Sequence, residues 1–352
     1  MRIRHGATDL RHVIVDSYNI ELREGDGFLG DRANKRMFKA MLENRRQRLR
    51  RSHGDPLATR PTEDLYKDRR GLIEIITAGN PEAAGVLIGA LEVFAHELAG
   101  VVERLLETSE WQGTQCIAVG GGFRESRFGE LVIGRTAVLL EDRGVLVSLV
   151  PLHHDPDEAG LIGGLELVPE GVLAGGNGIL AVDIGGTNVR TAIVEAAAND
   201  GGTVEGAHVW GYERWRHGDD KPSRENLLAH MAEQLGHSAA CAGSEGFPLA
   251  PFIAIACPGV IAEDGRILRG AQNLPGSWDG FNLADDVLDR IPRIHGRETT
   301  VFVHNDAVIQ GLSEYGRMER LARWGVLTIG TGLGNARFSN RSAELDTAAP
   351  CR

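Results

Sequence analysis

At the centre of the chain, Ile179-Leu180-Ala181-Val182-Asp183-Ile184 is an apolar run broken by one carboxylate, and it turns at once through Gly185-Gly186-Thr187-Asn188. The pattern predicts a buried strand, a tight turn and a second strand, Thr191-Ala192-Ile193-Val194. Such a turn suits a metal-bound phosphate, because glycines let backbone N–H groups close on phosphate oxygens where a Cβ would obstruct them. Asp183 is placed to face Mg²⁺, directly or through water, since that ion keeps several waters. Gly185, Gly186, Thr187, Asn188 and Arg190 are the candidate phosphate contacts, and a tight hairpin with a capping Asp is the plainer reading of the same residues.

Other strand ends carry related chemistry, and ligand sites of open α/β sheets lie beyond the carboxyl ends of strands. Gly330-Thr331-Gly332-Leu333-Gly334, after the apolar Val326-Leu327-Thr328-Ile329, offers a second backbone cradle. Gly120-Gly121-Gly122, after Cys116-Ile117-Ala118-Val119, would let a flat adenosine approach the backbone. Asn305-Asp306 follows Val301-Phe302-Val303. Asp306 could accept a proton from a substrate hydroxyl as that oxygen attacks a γ-phosphate, or it could cap the helix that follows. Asn273-Leu274-Pro275-Gly276-Ser277-Trp278 pairs an amide for hydroxyls with an indole for a ring face. A loop anchored by one core Trp explains it as well.

These turns need a scaffold, and the chain supplies one. At 352 residues it can build two lobes with real cores. A net charge of −11 argues against a general nucleic-acid binder. The basic run Arg45-Arg46-Gln47-Arg48-Leu49-Arg50-Arg51 has no aromatic interleaving and reads as a solvated helix face. Cys116, Cys241, Cys257 and Cys351 form no C-x-x-C pair, so a reduced compartment without structural zinc is expected. No signal peptide is visible and no apolar run approaches membrane-spanning length, which predicts a cytoplasmic protein with no membrane partner. Leu87, Leu91, Phe94, Leu98, Val102 and Leu105 recur at helical spacing over 81–107, behind Pro81 at the start. A hairpin turn is expected at Asn199-Asp200-Gly201-Gly202, and 169–178 has linker character.

Together, Asp183-Ile-Gly-Gly-Thr-Asn188, Cys257-Pro258-Gly259, Asn273 to Trp278, Asn305-Asp306-Ala307 and Thr328 to Gly334 resemble, in order, the ROK family of sugar kinases. That family belongs to the actin-like, hexokinase-like ATPase superfamily. Its remaining half resembles the front of this chain: Asp9-Leu10-Arg11-His12 looks like the acid-and-His stretch that contacts sugar, 80–107 like the long helix, and Ile117 to Phe123 like the adenosine strand and turn. Ala159 to Leu165 looks like the closing helix. The order is rotated, which implies a circular permutation joined through 169–178. Domain termini often lie close at the surface, where a short linker can join them.

The resemblance implies a two-lobed α/β fold of the actin-like (ribonuclease H-like) type, with a ligand cleft between lobes. The larger lobe is expected from 1–155 plus 300–352, and the smaller from 156–299. It implies an ATP- and Mg²⁺-dependent carbohydrate kinase acting on a hexose or hexose derivative. Asp306 would be the general base, with Asn273, Asn305, His12, Asp9 and Gly259 at the sugar. ATP would lie against Gly330–Gly334 and Gly120–Gly122. Residues 17–40 hold no cysteine where the family has its zinc cluster. The expected partner is a small sugar, with no nucleic acid, and a homodimer is compatible. The competing reading is a sugar-binding sensor without turnover.

Overall fold

The computed structural model describes residues 4–25, 27–52, 54–122, 124, 126–169, 171–175, 177–197 and 204–341. Strand β1 (Val13–Tyr18) leads to helices α1 (Lys35–Ser52), α2 (Thr62–Lys67), α3 (Arg69–Ala78) and α4 (Pro81–Leu106). Next come β2 (Cys116–Gly120), α5 (Arg127–Asp142), β3 (Ser148–Pro151) and the short α6 (Ala159–Ile162). Strands β4 (Gly178–Ile184), β5 (Val189–Glu195) and β6 (His208–Trp215) precede α7 (Arg224–Ser244), β7 (Leu249–Cys257) and α8 (Leu283–Arg290). The chain continues through β8 (Thr300–Asn305), α9 (Asp306–Leu312), α10 (Tyr315–Met318), β9 (Arg323–Ile329) and β10 (Leu333–Asn340). The fold is mixed α/β, as expected, and it divides into two compact units.

Among the described residues, the first unit draws on 4–19, 153–322 and 335–341. Its sheet runs in the order β8-β7-β4-β5-β6. The pairs β8–β7 and β7–β4 are parallel, whereas β4–β5 and β5–β6 are antiparallel. Every residue of β4 is buried, the pattern of a strand covered on both faces. On one face Leu180, Val182, Ile253 and Ile255 join Leu227, Leu228, Met231 and Leu235 of α7 in one core. β1 pairs antiparallel with β10 in the same unit, Val13 opposite Asn340 and Val15 opposite Phe338.

The second unit is built from 20–152 and 323–334. Here β9, β2 and β3 run parallel. Asn80 caps α4 by accepting from the N–H groups of Glu82 at 2.7 Å and Ala83 at 3.3 Å, with Pro81 in the first turn. Leu87, Phe94, Leu98 and Val102 of α4 meet Phe38 and Phe128 in the core, and both of those rings sit edge-on or steeply inclined to their neighbours.

Three expectations change. Residues 300–322 belong with the Asp183 sheet, not with 1–155, because β8 pairs residue for residue with β7 from Thr300–Phe252 to Asn305–Cys257. Arg46 is not on a solvated face: it is 1% exposed and bonded inward. α4 is long and apolar enough to cross a membrane by length and composition, yet its apolar side lines the core of its unit. The 169–178 segment contains a 3-10 turn, Val172–Gly175. The expected hairpin turn at 199–202 lies outside the described residues.

Candidate functional site

Parallel register sets the first unit's strand ends in one line. Asp183 on β4 stands opposite Ala256 on β7, and Ala256 opposite His304 on β8, one residue before Cys257 and Asn305. Asp183, Cys257 and the Asn305-Asp306 pair therefore share one carboxyl edge of the sheet, where α/β proteins place ligands.

Asp183 is buried and held by a neighbour from the adjoining strand. Arg190 Nη1 donates to its Oδ2 at 2.9 Å, while Arg190 Nε and Nη2 donate to Asp157 Oδ1 at 2.9 and 2.6 Å. Arg214 also donates to Asp157, at 2.8 Å. A Cβ at Gly160 would lie 2.8 Å from Asp183 Cγ, so only a glycine lets α6 close over this carboxylate. Burial pushes the Asp183 carboxyl above its ordinary range against the pull of Arg190, with Asp157 adding to the rise. Burial acts the same way on Asp157, but Arg190 and Arg214 outweigh it and hold that group low.

The turn beyond Asp183 is half-buried and closed by its own backbone, Gly185 N donating to Asn188 O at 2.8 Å. His217, buried and unsuspected from sequence, bonds Gly185 O through Nε2 at 2.8 Å. Asp183 Oδ1 accepts no hydrogen bond among the described residues, which leaves it for a cation. Those residues contain no group of three or more His, Cys, Asp or Glu that could hold a metal. One carboxylate oxygen beside a glycine turn would still suit Mg²⁺, which takes few protein ligands where substrate phosphates supply the rest.

Asp306 opens α9, and Asn305, not Asp306, is its principal cap. Asn305 Oδ1 accepts from Ala307 N at 3.0 Å and Val308 N at 3.3 Å, and its Nδ2 donates to Gly259 O at 3.0 Å. One amide proton of the buried Asn305 is thus committed to Gly259, and the same amide also bonds to the Asp306 carboxylate. Asp306 Oδ1 accepts from Ala307 N at 2.9 Å, and the residue keeps partial exposure. Burial, then the charge of Asp183, push its carboxyl up to about 7. Burial likewise raises the Cys257 thiol, with Asp306 and Asp183 adding to it.

His304 ties this pair in place. Its Nδ1 accepts from Asn305 N at 2.7 Å and its Nε2 donates to Ala7 O at 3.0 Å, which fixes a neutral ring. Burial lowers its pKa to about 4. No local pattern marks this role, because the Ala7 partner is brought in by the fold.

The remaining sugar candidates lie elsewhere in the unit. Asn273 is exposed, and Trp278 is a core residue whose Nε1 donates to Pro275 O at 2.8 Å, so the indole anchors its loop. His12 sits at a hairpin tip closed by Leu10 N and Val13 O, its Nδ1 2.6 Å from Glu166 and its ring stacked on Tyr315. Asp9 is 82% exposed and paired with Arg341. Among the described contacts, neither His12 nor Asp9 meets Asp306.

In the second unit, Thr328 on β9 stands opposite Gly120 on β2, so the two glycine turns also share one carboxyl edge. Gly330 N donates to Gly332 O at 2.9 Å, and Gly330 O accepts from Lys35 N. Thr331 is exposed, and Gly122, Gly332 and Gly334 are half-buried.

No sequence family and no curated protein matches the chain. Among solved structures, it is similar to a ROK family glucokinase from Streptomyces griseus in complex with glucose and AMPPNP, at 22% identity and a TM-score of 0.36, over 47% of this chain and 45% of that one. A hexokinase from Schistosoma mansoni complexed with glucose matches at 19% identity and a TM-score of 0.34, over 49% and 42%. An inorganic polyphosphate/ATP-glucomannokinase from Arthrobacter sp. strain KM matches at 22% and 0.33, over 48% and 66%. The chain spans about half the length of several of the solved structures it matches, the glucokinase and the hexokinase among them.

Proposed function

We propose that this chain is a sugar kinase, transferring the terminal phosphoryl group of ATP to a hydroxyl of a hexose or hexose derivative. The observation that carries the reading is Asp306: a partly exposed carboxyl at a strand end, pushed up to about 7 beside the buried Asp183. A base poised near neutrality is best matched to taking a hydroxyl proton. As the hydroxyl oxygen attacks the γ-phosphorus, its proton passes to Asp306, the bond to the β–γ bridging oxygen breaks, and ADP leaves.

Asn305 and His304 hold Asp306 in register for that transfer, through the cap of α9 and the ties to Gly259 and Ala7. Within the first unit the turn Gly185–Asn188, with Arg190 beside it, is assigned to phosphate; within the second, Gly330–Gly334 and Gly120–Gly122 are the nucleotide candidates. Mg²⁺, held at Asp183 directly or through water, would neutralise phosphate charge. Circular permutation accords with the strand pattern. The Asp183 sheet combines an antiparallel β4–β5–β6 with a parallel β4–β7–β8. The other strands repeat the two pairings, β10 with β1 antiparallel and β9, β2 and β3 parallel, but the chain enters them in rotated order.

A coupled ADP-release assay across hexoses, N-acetylhexosamines and polyols tests the reading. Asp306→Asn is expected to lower kcat by about 10² to 10⁴ while sugar binding persists. Near-full activity in that variant would remove Asp306 from the mechanism. Calorimetric sugar binding without turnover in the wild type would favour a sensor.

A further inference from the structure

Glu166 is a buried carboxylate that neither the strand-end chemistry nor the sequence motifs use. It lies in the 3-10 turn Gly163–Leu167 with its side chain 3% exposed, and its Oε2 is 2.6 Å from His12 Nδ1. An ionised carboxylate only accepts hydrogen bonds, so this contact places a proton on Nδ1. Tyr315 stacks against the imidazole, with centroids 4.8 Å apart and planes 10° from parallel. The ring is thus fixed at one edge and over one face. His12 Nε2 makes no hydrogen bond among the described residues, and the side chain is 25% exposed.

Burying a carboxylate is unfavourable unless it is well bonded, and here the bond orients a ring that stays open to solvent. We infer that Glu166 is a positioning residue: it holds His12 in the Nδ1–H form and so presents Nε2 as an acceptor for a sugar hydroxyl. The ligand named here rests on the sugar-kinase reading, whereas the Glu166–His12 relationship does not. In the other neutral tautomer the ring would lose its tie to Glu166 and offer a donor at its open edge. Tyr315 sits between burial and the Glu166 charge, both of which raise its phenol pKa, so its ring remains neutral as a stacking partner.

Long-range ¹H–¹⁵N NMR of the full chain with ¹⁵N-histidine at alkaline pH reads the tautomer directly, with the signal assigned by His12→Gln. The expected result is Nδ1–H in the wild type and Nε2–H in Glu166→Leu. In the kinase assay Glu166→Leu is expected to raise the sugar KM about tenfold with kcat changed far less, the loss of one oriented hydrogen bond. Glu166→Gln, whose amide oxygen still accepts from Nδ1–H, is expected to restore most of the KM. An Nε2–H ring in the wild type overturns the proposal, and so does a folded Glu166→Leu with the wild-type tautomer or the wild-type KM. If Glu166→Leu does not fold, the wild-type tautomer and the Glu166→Gln spectrum decide. If the wild type phosphorylates no sugar, only the kinase reading fails, and the tautomer measurement still decides the role of Glu166.

Discussion

Asp183 and Arg190 face each other directly across the antiparallel pair β4–β5, and Arg190 Nη1 donates to Asp183 Oδ2 at 2.9 Å. The same guanidinium reaches Asp157, so one cation serves two carboxylates at the mouth of the Gly185–Asn188 turn. Burial alone would lower the Arg190 pKa, but Asp183 and Asp157 outweigh it and hold the group above its usual value. The arrangement keeps Asp183 from being an unpaired buried charge.

Arg190→Gln removes that counter-charge from two enclosed carboxylates. Breaking a buried pair from one side costs about 3 to 5 kcal/mol, and urea unfolding at neutral pH is expected to show a loss of that order. The deficit is expected to shrink in acid, where Asp183 takes a proton and no longer needs a cation. The same deficit at acid and neutral pH would mean that lost packing, not charge, explains the loss.

Asp306 gives a pH dependence with a definite sign. Its folded pKa of about 7 lies above the ordinary 3.8, so between those values the folded chain binds more protons than the unfolded chain. Its contribution to stability is therefore complete below the ordinary value and is lost as pH rises to about 7. Asp306→Asn, locked in a neutral form, is expected to exceed the wild type by about 1 to 2 kcal/mol in mildly alkaline buffer, with its partial exposure allowed for. The two proteins converge in acid. Thermal unfolding across that range measures the difference, and a variant weaker than the wild type in alkali would contradict the assignment. On the sugar-kinase reading, activity is expected to follow the opposite course, with kcat/KM falling below about pH 7 as Asp306 becomes protonated.

Local pattern carried much of the scaffold. The apolar run ending at Asp183, the cap at Asn80-Pro81 and the strand before Gly120 are each written within a few consecutive residues, and each forms as read. Partners distant in sequence were not legible. Glu166 lies 154 residues from His12, and nothing near either residue marks the pairing. The β7–β8 ladder that moves 300–322 into the Asp183 unit joins segments more than forty residues apart, a pairing that the resemblance used to set the boundary did not reveal. The Trp278 loop left two readings open from sequence, and burial of the indole favours the anchoring one.

Gly121 and Gly144 separate two reasons for glycine. Both have positive φ, +78° and +75°. A Cβ at Gly121 would also lie 2.7 Å from Ile329 O and 2.8 Å from Ile329 N, whereas one at Gly144 would meet nothing within 4 Å. Gly144→Ala therefore carries only backbone strain, about 1 kcal/mol, while Gly121→Ala adds a clash with β9 backbone and is expected to cost about 2 to 4 kcal/mol. Paired denaturation curves test this, and equal losses would show that β9 yields to the methyl group.

Arg46 makes the clearest demand on the basic run. Its Nε donates to Asp55 Oδ2 at 2.9 Å, its Nη1 to Thr62 Oγ1 at 2.6 Å, and its Nη2 to the carbonyls of Leu57 and Arg60 at 2.7 Å each. One planar fork thereby gathers the segment between α1 and α2. Arg46→Met keeps the apolar stem but strips every donor, leaving the fully buried Asp55 carboxylate with Arg50 Nε at 3.1 Å and Leu57 N at 2.9 Å. A loss of about 3 to 5 kcal/mol is expected, and Arg46→Lys recovers little of it because a single ammonium cannot span the fork's acceptors. Arg48→Ala, on the exposed side of the same helix, is expected to stay within about 0.5 kcal/mol of the wild type. Amide hydrogen exchange over 54–62 distinguishes the two sites, since it speeds up in Arg46→Met and not in Arg48→Ala. Matching exchange and matching stability in both variants would return the whole run to a solvated face.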